Sequence, residues 1–447
     1  MKQNIFFLLI DTLREDEFKK FCDLHPDSNF SKLLDQGIYF KNCISSGDAT
    51  LLSLSSMFTG LFPNKNGISS EKLYQLNPNV KTFFHTLKYE NFNFYGYFPT
   101  VVDLSNIIPK FKNDDSGKYS FPCITKEIGD KILTQLKNLT EPWFFYAHCM
   151  DLHDPITIQK NLDDKEITSL YQKQIMAIDT VLTNIVKEID FTKTLFIVCS
   201  DHGTYLKESY SIKQNISLKN NSTLNSVLKN IGGKIPSKFN PLKDKIFYNL
   251  VENKHSKDRK KIQNLSLTPY EKRNLLTQKF DLEHELFDEL IKIPLVITGC
   301  GLKNNVVENQ VRSIDIFPTI LSILKINIDL KNIDGINLIN IINKKSDEDL
   351  IAYFQTNPLL SFKSSDSVGL RLNGFKYFRD KNNAELRVHL YDLKNDPFEN
   401  NNIYAQFPEK LTQLENRLKK FLINETDISE NKKSDLIENE LKKLGYV

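Results

Sequence analysis

The chain has 447 residues, with 59 lysines and arginines against 56 aspartates and glutamates, a formal net charge of +3 at pH 7. Hydrophobic residues make up 40% of the chain and charged residues 26%, proportions that exclude a wholly disordered or fibrous protein. The near-neutral charge argues against a dedicated nucleic-acid binder, because such proteins carry a strong basic excess.

Short apolar runs alternate with amphipathic stretches over the first 200 residues, a pattern typical of an α/β domain. The apolar runs predict strands over residues 4–10, 38–43, 93–98, 143–148, 194–200 and 293–298. The amphipathic stretches predict helices over residues 29–36, 52–59, 82–89, 126–136 and 170–189. Uninterrupted apolar strands indicate a sheet that is covered on both faces. We therefore expect a mixed, mainly parallel sheet between layers of helices.

The pattern changes towards the C-terminus. Residues 368–372, 375–379 and 387–390 predict an antiparallel meander, with a hairpin turn at Asn373-Gly374, and a helix is predicted over 408–422. The predicted organisation is a catalytic domain over residues 1–345, an antiparallel subdomain over 346–425 and a charged tail over 426–447.

Residues 206–280 differ in composition, with 16 lysines and arginines against 5 acidic residues and a local net charge of +11. The segment is predicted to be an insertion into the catalytic domain rather than part of its core. Two interpretations stay open, a solvated excursion or a basic lid over an anionic substrate.

The chain is expected to be cytoplasmic. Its six cysteines stand singly, which favours reduced structural thiols over a disulfide framework. The N-terminal apolar run, residues 5–10, is followed at once by Asp11 and is shorter than the roughly 7–15 apolar residues of a secretory signal. No apolar run approaches the roughly 20 residues that cross a bilayer, so no membrane span is expected.

Side chains of the types that bind metals follow two of the predicted strands. Asp11 ends the first strand, and Ser200-Asp201-His202-Gly203 ends another. Ligands in open α/β sheets gather at the carboxyl ends of strands, so Asp11, Asp201 and His202 are expected to lie together. Such a set suits one divalent cation, with Zn²⁺ or Mn²⁺ favoured and Mg²⁺ or Ca²⁺ as alternatives. Taken singly, a carboxylate at a strand end can instead cap a helix.

Further motifs follow in order along the chain. Thr50 stands ten residues before Gly60. Later motifs are Phe144-Phe-Tyr-Ala-His148, Asp315-Ile-Phe-Pro318-Thr319 and Tyr391-Asp-Leu-Lys-Asn-Asp396-Pro-Phe-Glu399. Together with the metal-binding motifs, they resemble the alkaline phosphatase superfamily, and most closely its sulfatase-like branch. The resemblance implies an alkaline phosphatase-like three-layer core with a small C-terminal antiparallel subdomain. It also implies that Thr50 is both nucleophile and metal ligand.

The sequence departs from sulfatases where they handle sulfate. Sulfatases generate formylglycine from Cys or Ser in a Cys/Ser-x-Pro/Ala-x-Arg context, whereas this chain has Thr50, Leu52 and Leu54 at those positions. The position of a second sulfate-binding lysine falls on Glu283. A threonine nucleophile instead resembles the phosphoethanolamine and phosphoglycerol transferases and the phosphodiesterases of the superfamily. We therefore predict a metal-dependent phosphoryl-group transferase or phosphodiesterase that acts through a covalent phosphothreonine intermediate.

Three histidines and one arginine complete the predicted site. His153 is predicted to contact the transferred group or to protonate the leaving group. His284 is a candidate because its spacing to Pro294 resembles that of the family. His148 fits a catalytic histidine and a core histidine equally well. Arg14 is predicted to bind substrate, or else to pair with an acid at the surface.

The predicted substrate is an anionic phosphate ester or a saccharide precursor, used in surface polysaccharide metabolism. Two other functions stay open, a sulfuric-ester hydrolase of the sulfatase family and a catalytically degenerate binding protein. The degenerate protein would be expected to lack site residues, whereas Asp11, Thr50, Asp201 and His202 are all present. Oligomeric state does not follow from the sequence.

Overall fold

The structure is a computed structural model. It describes residues 2–68, 76–153, 170–206, 260–276, 285–327, 331–344, 350–356 and 366–423, together with positions 437, 440 and 443. His284, Glu283, and most of the basic insertion and of the charged tail lie outside these residues. The predictions that concern them stay predictions.

A seven-stranded sheet forms the centre of the protein. Its strands are β1 (Asn4–Ile10), β2 (Gly37–Ile44), β3 (Asn93–Tyr97), β4 (Trp143–Cys149), β5 (Thr194–Cys199), β6 (Lys292–Gly299) and β7 (Asn305–Arg312). The order across the sheet is β3-β4-β1-β5-β6-β2-β7, and β6 is antiparallel to both of its neighbours. The other neighbouring pairs are parallel. The predicted mixed, mainly parallel sheet is confirmed.

Both faces of this sheet are covered. Along β1, Ile5, Phe7 and Leu9 pack into one apolar cluster, and the alternate side chains Phe6 and Leu8 pack into another on the opposite face. Alternate side chains of a strand point to opposite faces, so an uninterrupted apolar run places one set in each cluster. The result is the three-layer core expected from the sequence.

Helices supply the two outer layers. They are α1 (Glu15–Leu24), α2 (Asn29–Gln36), α3 (Thr50–Thr59), α4 (Pro63–Asn66), α5 (Phe83–Tyr89), α6 (Thr100–Leu104), α7 (Gly129–Leu136), α8 (Leu170–Lys187), α9 (Pro269–Leu276), α10 (Asp288–Ile291), α11 (Ile316–Ile323), α12 (Ile339–Lys344) and α13 (Pro408–Ile423). A π-helical turn, Ile124–Ile128, precedes α7. No helix is predicted over α1, although the acidic residues of its first turn, Glu15, Asp16 and Glu17, favour a helix N-terminus. No helix in the described part of the chain is long and apolar enough to cross a membrane.

A smaller antiparallel sheet lies near the C-terminus. Its strands are β8 (Ala352–Gln355), β9 (Ser367–Leu372), β10 (Phe375–Asp380) and β11 (His389–Asp392), in the order β11-β10-β9-β8. Asn373 and Gly374 have φ angles of 53° and 75°, the left-handed values that a two-residue hairpin turn requires. The predicted hairpin is therefore confirmed. Backbone contact between Gly47 and Gln355 joins this sheet to the loop that precedes α3.

Candidate active site

Three neighbouring strands bring the candidate site residues to one edge of the central sheet. Asp11 directly follows β1, and Asp201 follows the adjacent parallel strand β5. His148 lies near the carboxyl end of β4, the other neighbour of β1. The backbone N–H of Asp11 donates to the carbonyl of Cys149 at 2.9 Å, which joins the ends of β1 and β4. The site therefore lies at the strand ends where ligands of parallel sheets collect.

Thr50, the first residue of α3, also contacts this cluster. Its hydroxyl donates to Oδ2 of Asp11 at 3.2 Å and lies 3.5 Å from Nε2 of His202. The same nitrogen of His202 is 3.6 Å from Oδ2 of Asp201 and 3.9 Å from Oδ1 of Asp11. All four side chains are buried. The structure thus brings together the four residues predicted to hold a metal.

The position of Thr50 follows from the packing of α3, whose first residue it is. Every residue of this helix is buried, and Gly60 ends it with a φ of 68°, the left-handed conformation common after a helix. The hydroxyl of Ser45, in the loop before α3, donates to the carbonyl of Asp201 at 2.6 Å, and its oxygen lies 3.0 Å from Oγ of Ser53. These two contacts join the start of α3 to the end of β5.

The carboxylates of Asp11 and Asp201 repel each other electrostatically. Burial disfavours the charged form of Asp11, but the charge of His153 and the hydrogen bond from His148 hold the pKa of Asp11 below its ordinary range. Burial, and then the charge of Asp11, raises the pKa of Asp201. Burial disfavours the cationic form of His202, yet the charges of Asp201 and Asp11 raise its pKa. A cation between the carboxylates would relieve this repulsion.

Hydrogen bonds determine which ring nitrogen carries a proton in His202 and in His148. Nδ1 of His202 lies 2.8 Å from the carbonyl oxygen of Gly203, which only accepts, so Nδ1 carries a proton and Nε2 can donate a lone pair to a metal. The hydroxyl of Tyr146 lies 2.9 Å from Nδ1 of His148 and is kept protonated by a raised pKa. It therefore donates to Nδ1, and Nε2 of His148 donates to Asp11 at 3.1 Å.

Two buried carboxylate oxygens make the site suitable for a cation. Oδ1 of Asp11 and Oδ2 of Asp201 accept no hydrogen bond in the described part of the structure. Ligand atoms of Asp11, Asp201 and His148 lie within 4.8 Å of one another. Because Nε2 of His148 is engaged as a donor, the donor set that fits a metal is Asp11, Asp201, His202 and Thr50. Unpaired oxygens in such a place are what a divalent metal satisfies.

The remaining predicted site residues lie in different surroundings. His153 is buried and lies close enough to Asp11 for its charge to lower the pKa of that carboxyl. Arg14 is also buried, and its guanidinium bonds to Asp16, Asn274 and Tyr270. Its predicted role in binding substrate stays a prediction, since the guanidinium is engaged with protein groups. His284 lies outside the described residues.

Sequence reasoning assigned no role to three residues that support the site. Tyr146 is two positions before His148 on the same strand, so the period of a strand could have placed both on one face. The hydroxyl of Tyr171 accepts from the N–H of Arg14 at 2.9 Å and donates to the carbonyl of Thr12 at 2.7 Å, a contact across 157 residues that no local pattern indicates. A Cβ at Gly203 would lie 2.0 Å from a backbone oxygen, so only glycine fits there.

Comparison with protein families identifies the fold. A family model described as Sulfatase matches residues 3–326, more than two thirds of the chain. The chain belongs to the sulfatase family. A second model, described as N-sulphoglucosamine sulphohydrolase, C-terminal, matches residues 278–427 of the chain. The predicted resemblance to the sulfatase-like branch is confirmed, and membership of this family indicates a hydrolase.

Individual relatives agree with the family assignment. Arylsulfatase K of Mus musculus is 28% identical over 141 residues, which cover 30% of this chain and 25% of that protein. A protein solved in complex with its substrate D-glucosamine-2-N,6-O-disulfate has a TM-score of 0.61 at 14% identity, over 97% of this chain and 100% of its own. The phosphonate monoester hydrolase of Agrobacterium radiobacter has a TM-score of 0.63 at 13% identity, over 95% and 96%. The alkaline phosphatase-like fold is confirmed.

The predicted phosphoryl-group transferase or phosphodiesterase is wrong. The family models and the arylsulfatase relatives support the sulfatase that the sequence left as an alternative. The prediction rested on Thr50 as the nucleophile, on Leu52 and Leu54 in place of Pro and Arg of the formylglycine context, and on Glu283 at the position of a sulfate-binding lysine. Both leucines are fully buried in the apolar cluster under α3. Their place in the core gives them a packing role in α3.

Proposed function

We propose that the protein is a metal-dependent hydrolase of sulfuric esters of saccharides and that Thr50 is its nucleophile. One observation carries the proposal. In a sulfatase-family chain, the Thr50 hydroxyl stands at the start of a buried helix, 3.2 Å from Asp11 and 3.5 Å from His202. The family supports the reaction class, and the neighbour that binds a glucosamine disulfate supports a sulfated saccharide as substrate.

The site would hold the sulfate by electrostatics. A divalent metal held by Asp11, Asp201, His202 and Thr50 would supply a Lewis acid for the sulfate oxygens. The N-terminus of α3 adds partial positive charge at the same place, and its N-cap residue Ala49 offers no capping oxygen that would compete with an anion.

Attack begins at the Thr50 hydroxyl, whose proton passes to Oδ2 of Asp11, the acceptor it already contacts. The oxygen of Thr50 forms a bond to sulfur, and the bond from sulfur to the saccharide oxygen breaks. That oxygen keeps the electron pair and takes a proton from His153. The products of this step are the free alcohol and a sulfate ester of Thr50.

Water completes the cycle. His153, now neutral, takes a proton from water as the water oxygen attacks sulfur. The bond from sulfur to the oxygen of Thr50 breaks, that oxygen regains its proton from Asp11, and inorganic sulfate leaves. The tether from Tyr146 through His148 would keep Asp11 aligned through both proton transfers.

The donor set contains two carboxylates, one hydroxyl and one imidazole. Oxygen donors suit Mn²⁺, Mg²⁺ and Ca²⁺, whereas an imidazole is also a ligand for Zn²⁺. Zn²⁺ and Mn²⁺ stay the predicted ions, with Mg²⁺ and Ca²⁺ as the alternatives. Elemental analysis of protein loaded from an equal mixture of the four ions would identify the preferred one.

The departures at Thr50, Leu52 and Leu54 favour one second candidate, a protein that binds sulfated saccharides without cleaving them. Threonine cannot be converted to formylglycine, because its β-carbon already carries a methyl group. A sulfate ester of threonine must then be discharged by attack of water at sulfur. If that step does not occur, the protein binds the sulfated saccharide or keeps a sulfate ester on Thr50, without turnover.

The test measures sulfate release from D-glucosamine-2-N,6-O-disulfate by the metal-loaded protein, with an aryl phosphodiester as the comparison substrate. Sustained release of sulfate, with a sulfate ester on the peptide that contains Thr50 in quenched samples, is the expected result. Thr50→Ala should lose the ester and most of the rate, and Thr50→Ser should keep part of it. Wild-type rates in Thr50→Ala would overturn the nucleophile. Saturable binding without sulfate release would support the second candidate.

A further inference from the structure

Phe121 presents an exposed aromatic ring beside the candidate active site. Its side chain is 39% exposed, and its ring centroid lies 6.2 Å from that of His153 at an interplanar angle of 59°. His153 is buried, and its charge is the strongest of those that lower the pKa of Asp11. The ring therefore borders both solvent and a buried histidine whose charge acts on Asp11.

Backbone hydrogen bonds link the segment of Phe121 to the metal-binding edge. The N–H of Met150, directly after β4, donates to the carbonyl of Pro122 at 2.8 Å. The residue before it, Cys149, accepts from the N–H of Asp11 at 2.9 Å. Phe121 is thus two backbone contacts away from the first predicted metal ligand.

Side chains hold the same segment from both directions. The carboxylate of Asp151 accepts from the N–H groups of Ile124 and Thr125 at 2.8 and 3.0 Å. On the other side, Oγ of Ser120 donates to Glu440 at 2.9 Å. A ring on a backbone fixed in this way has a defined position before any ligand binds, which lowers the entropic cost of binding.

We propose that Phe121 determines specificity by packing its ring against the saccharide part of a sulfate ester. The inference rests on the proposed function, since it requires a sulfated saccharide at the Thr50 site. A pyranose presents C–H groups on its faces, and an exposed aromatic ring offers them a large apolar surface. Single exposed apolar residues are common, but this one contacts His153, the proposed proton donor to the leaving alcohol. The sulfate would be held at the cluster and the sugar ring at Phe121.

The test compares two ligands by calorimetric titration of the metal-loaded full chain, D-glucosamine-2-N,6-O-disulfate and inorganic sulfate. Phe121→Ala should weaken binding of the saccharide about tenfold and leave the affinity for sulfate unchanged. Phe121→Tyr should keep the affinity for both. Tyr89→Ala is the matched control, because Tyr89 is an 84% exposed aromatic residue at the end of α5, ahead of the first residue of β3, whereas the site lies at the carboxyl ends of the strands.

Three outcomes would overturn the inference. Unchanged saccharide affinity in Phe121→Ala would mean that the ring does not contact the sugar. Equal weakening for saccharide and sulfate would mean that Phe121 only positions His153. If the wild-type chain binds neither ligand, the proposed function itself fails, whereas either of the first two results contradicts the role of Phe121 alone.

Discussion

The hydroxyl of Tyr146 and Nδ1 of His148 lie 2.9 Å apart on the same buried strand. This contact fixes the tautomer of His148, which then donates from Nε2 to Asp11. Tyr146 therefore acts on the candidate metal site through two hydrogen bonds, without touching the position of a metal or a substrate.

Tyr146→Phe should lower metal affinity about 10–100-fold, because outer partners of this kind orient the ligand that they contact. Titration of metal-free protein with Mn²⁺ or Zn²⁺ measures the effect. Tyr353→Phe is the matched control, since Tyr353 is also buried and its hydroxyl also donates to a protein side chain, at Oε1 of Gln355, but it lies in the smaller sheet. Equal affinity of Tyr146→Phe and wild type would contradict a role for this contact.

Asp11→Asn and Asp201→Asn should each abolish binding of the divalent metal, because a neutral amide removes charge from a site with few ligands. Elemental analysis after gel filtration gives the metal content. Asp179→Asn serves as the control, because Asp179 is a buried aspartate that caps α2 through the N–H of Phe30 at 2.8 Å, away from the cluster. Full metal occupancy in both site variants would remove the metal assignment.

Parts of this site could be predicted from the sequence alone. Asp11 and Asp201-His202 follow apolar strands, and the carboxyl ends of parallel strands lie at one edge of a sheet. The order of the strands was therefore enough to predict that these residues lie together. The burial of Arg14 could not be predicted in this way. Its partners Asn274 and Tyr270 come from α9, more than 250 positions along the chain.

The reaction class was harder to predict for a different reason. The match to the family extends over residues 3–326, whereas the prediction of the reaction depended on Thr50 and a few other motif positions. Leu52 and Leu54 belong to the core, where shape and volume decide the residue. A family match over most of the chain therefore outweighs local departures at one motif.

Gly203→Ala should destabilise the protein by about 1–3 kcal/mol, the usual cost of overpacking a buried site. A Cβ there would lie 2.0 Å from the carbonyl oxygen of Glu289, a backbone atom that cannot rotate away. The N–H of Gly203 also donates to the carbonyl of Leu290 at 2.7 Å, and its carbonyl accepts from His202. Urea unfolding and metal content should both change. An unaltered unfolding midpoint together with full metal content would contradict this account.

His389 should make the protein less stable in acid. Its ring stacks on Phe378 with centroids 4.4 Å apart, and burial, followed by the positive charges of Arg387, Lys376 and Arg273, lowers its pKa from 6.5 to about 4. The unfolded chain takes up a proton as the pH falls below about 6.5, while the folded chain stays neutral until about pH 4.

The unfolding free energy therefore decreases between these two pH values, and His389 contributes at most about 3 kcal/mol to the decrease. His389→Phe keeps the stacked ring but cannot titrate. Between pH 7 and pH 4, the unfolding free energy of the wild type should therefore fall more than that of His389→Phe. Urea unfolding at half-unit pH steps measures this difference. All other groups titrate in both proteins and cancel in this difference. Parallel pH profiles for the two proteins would show that His389 is not held neutral by the fold.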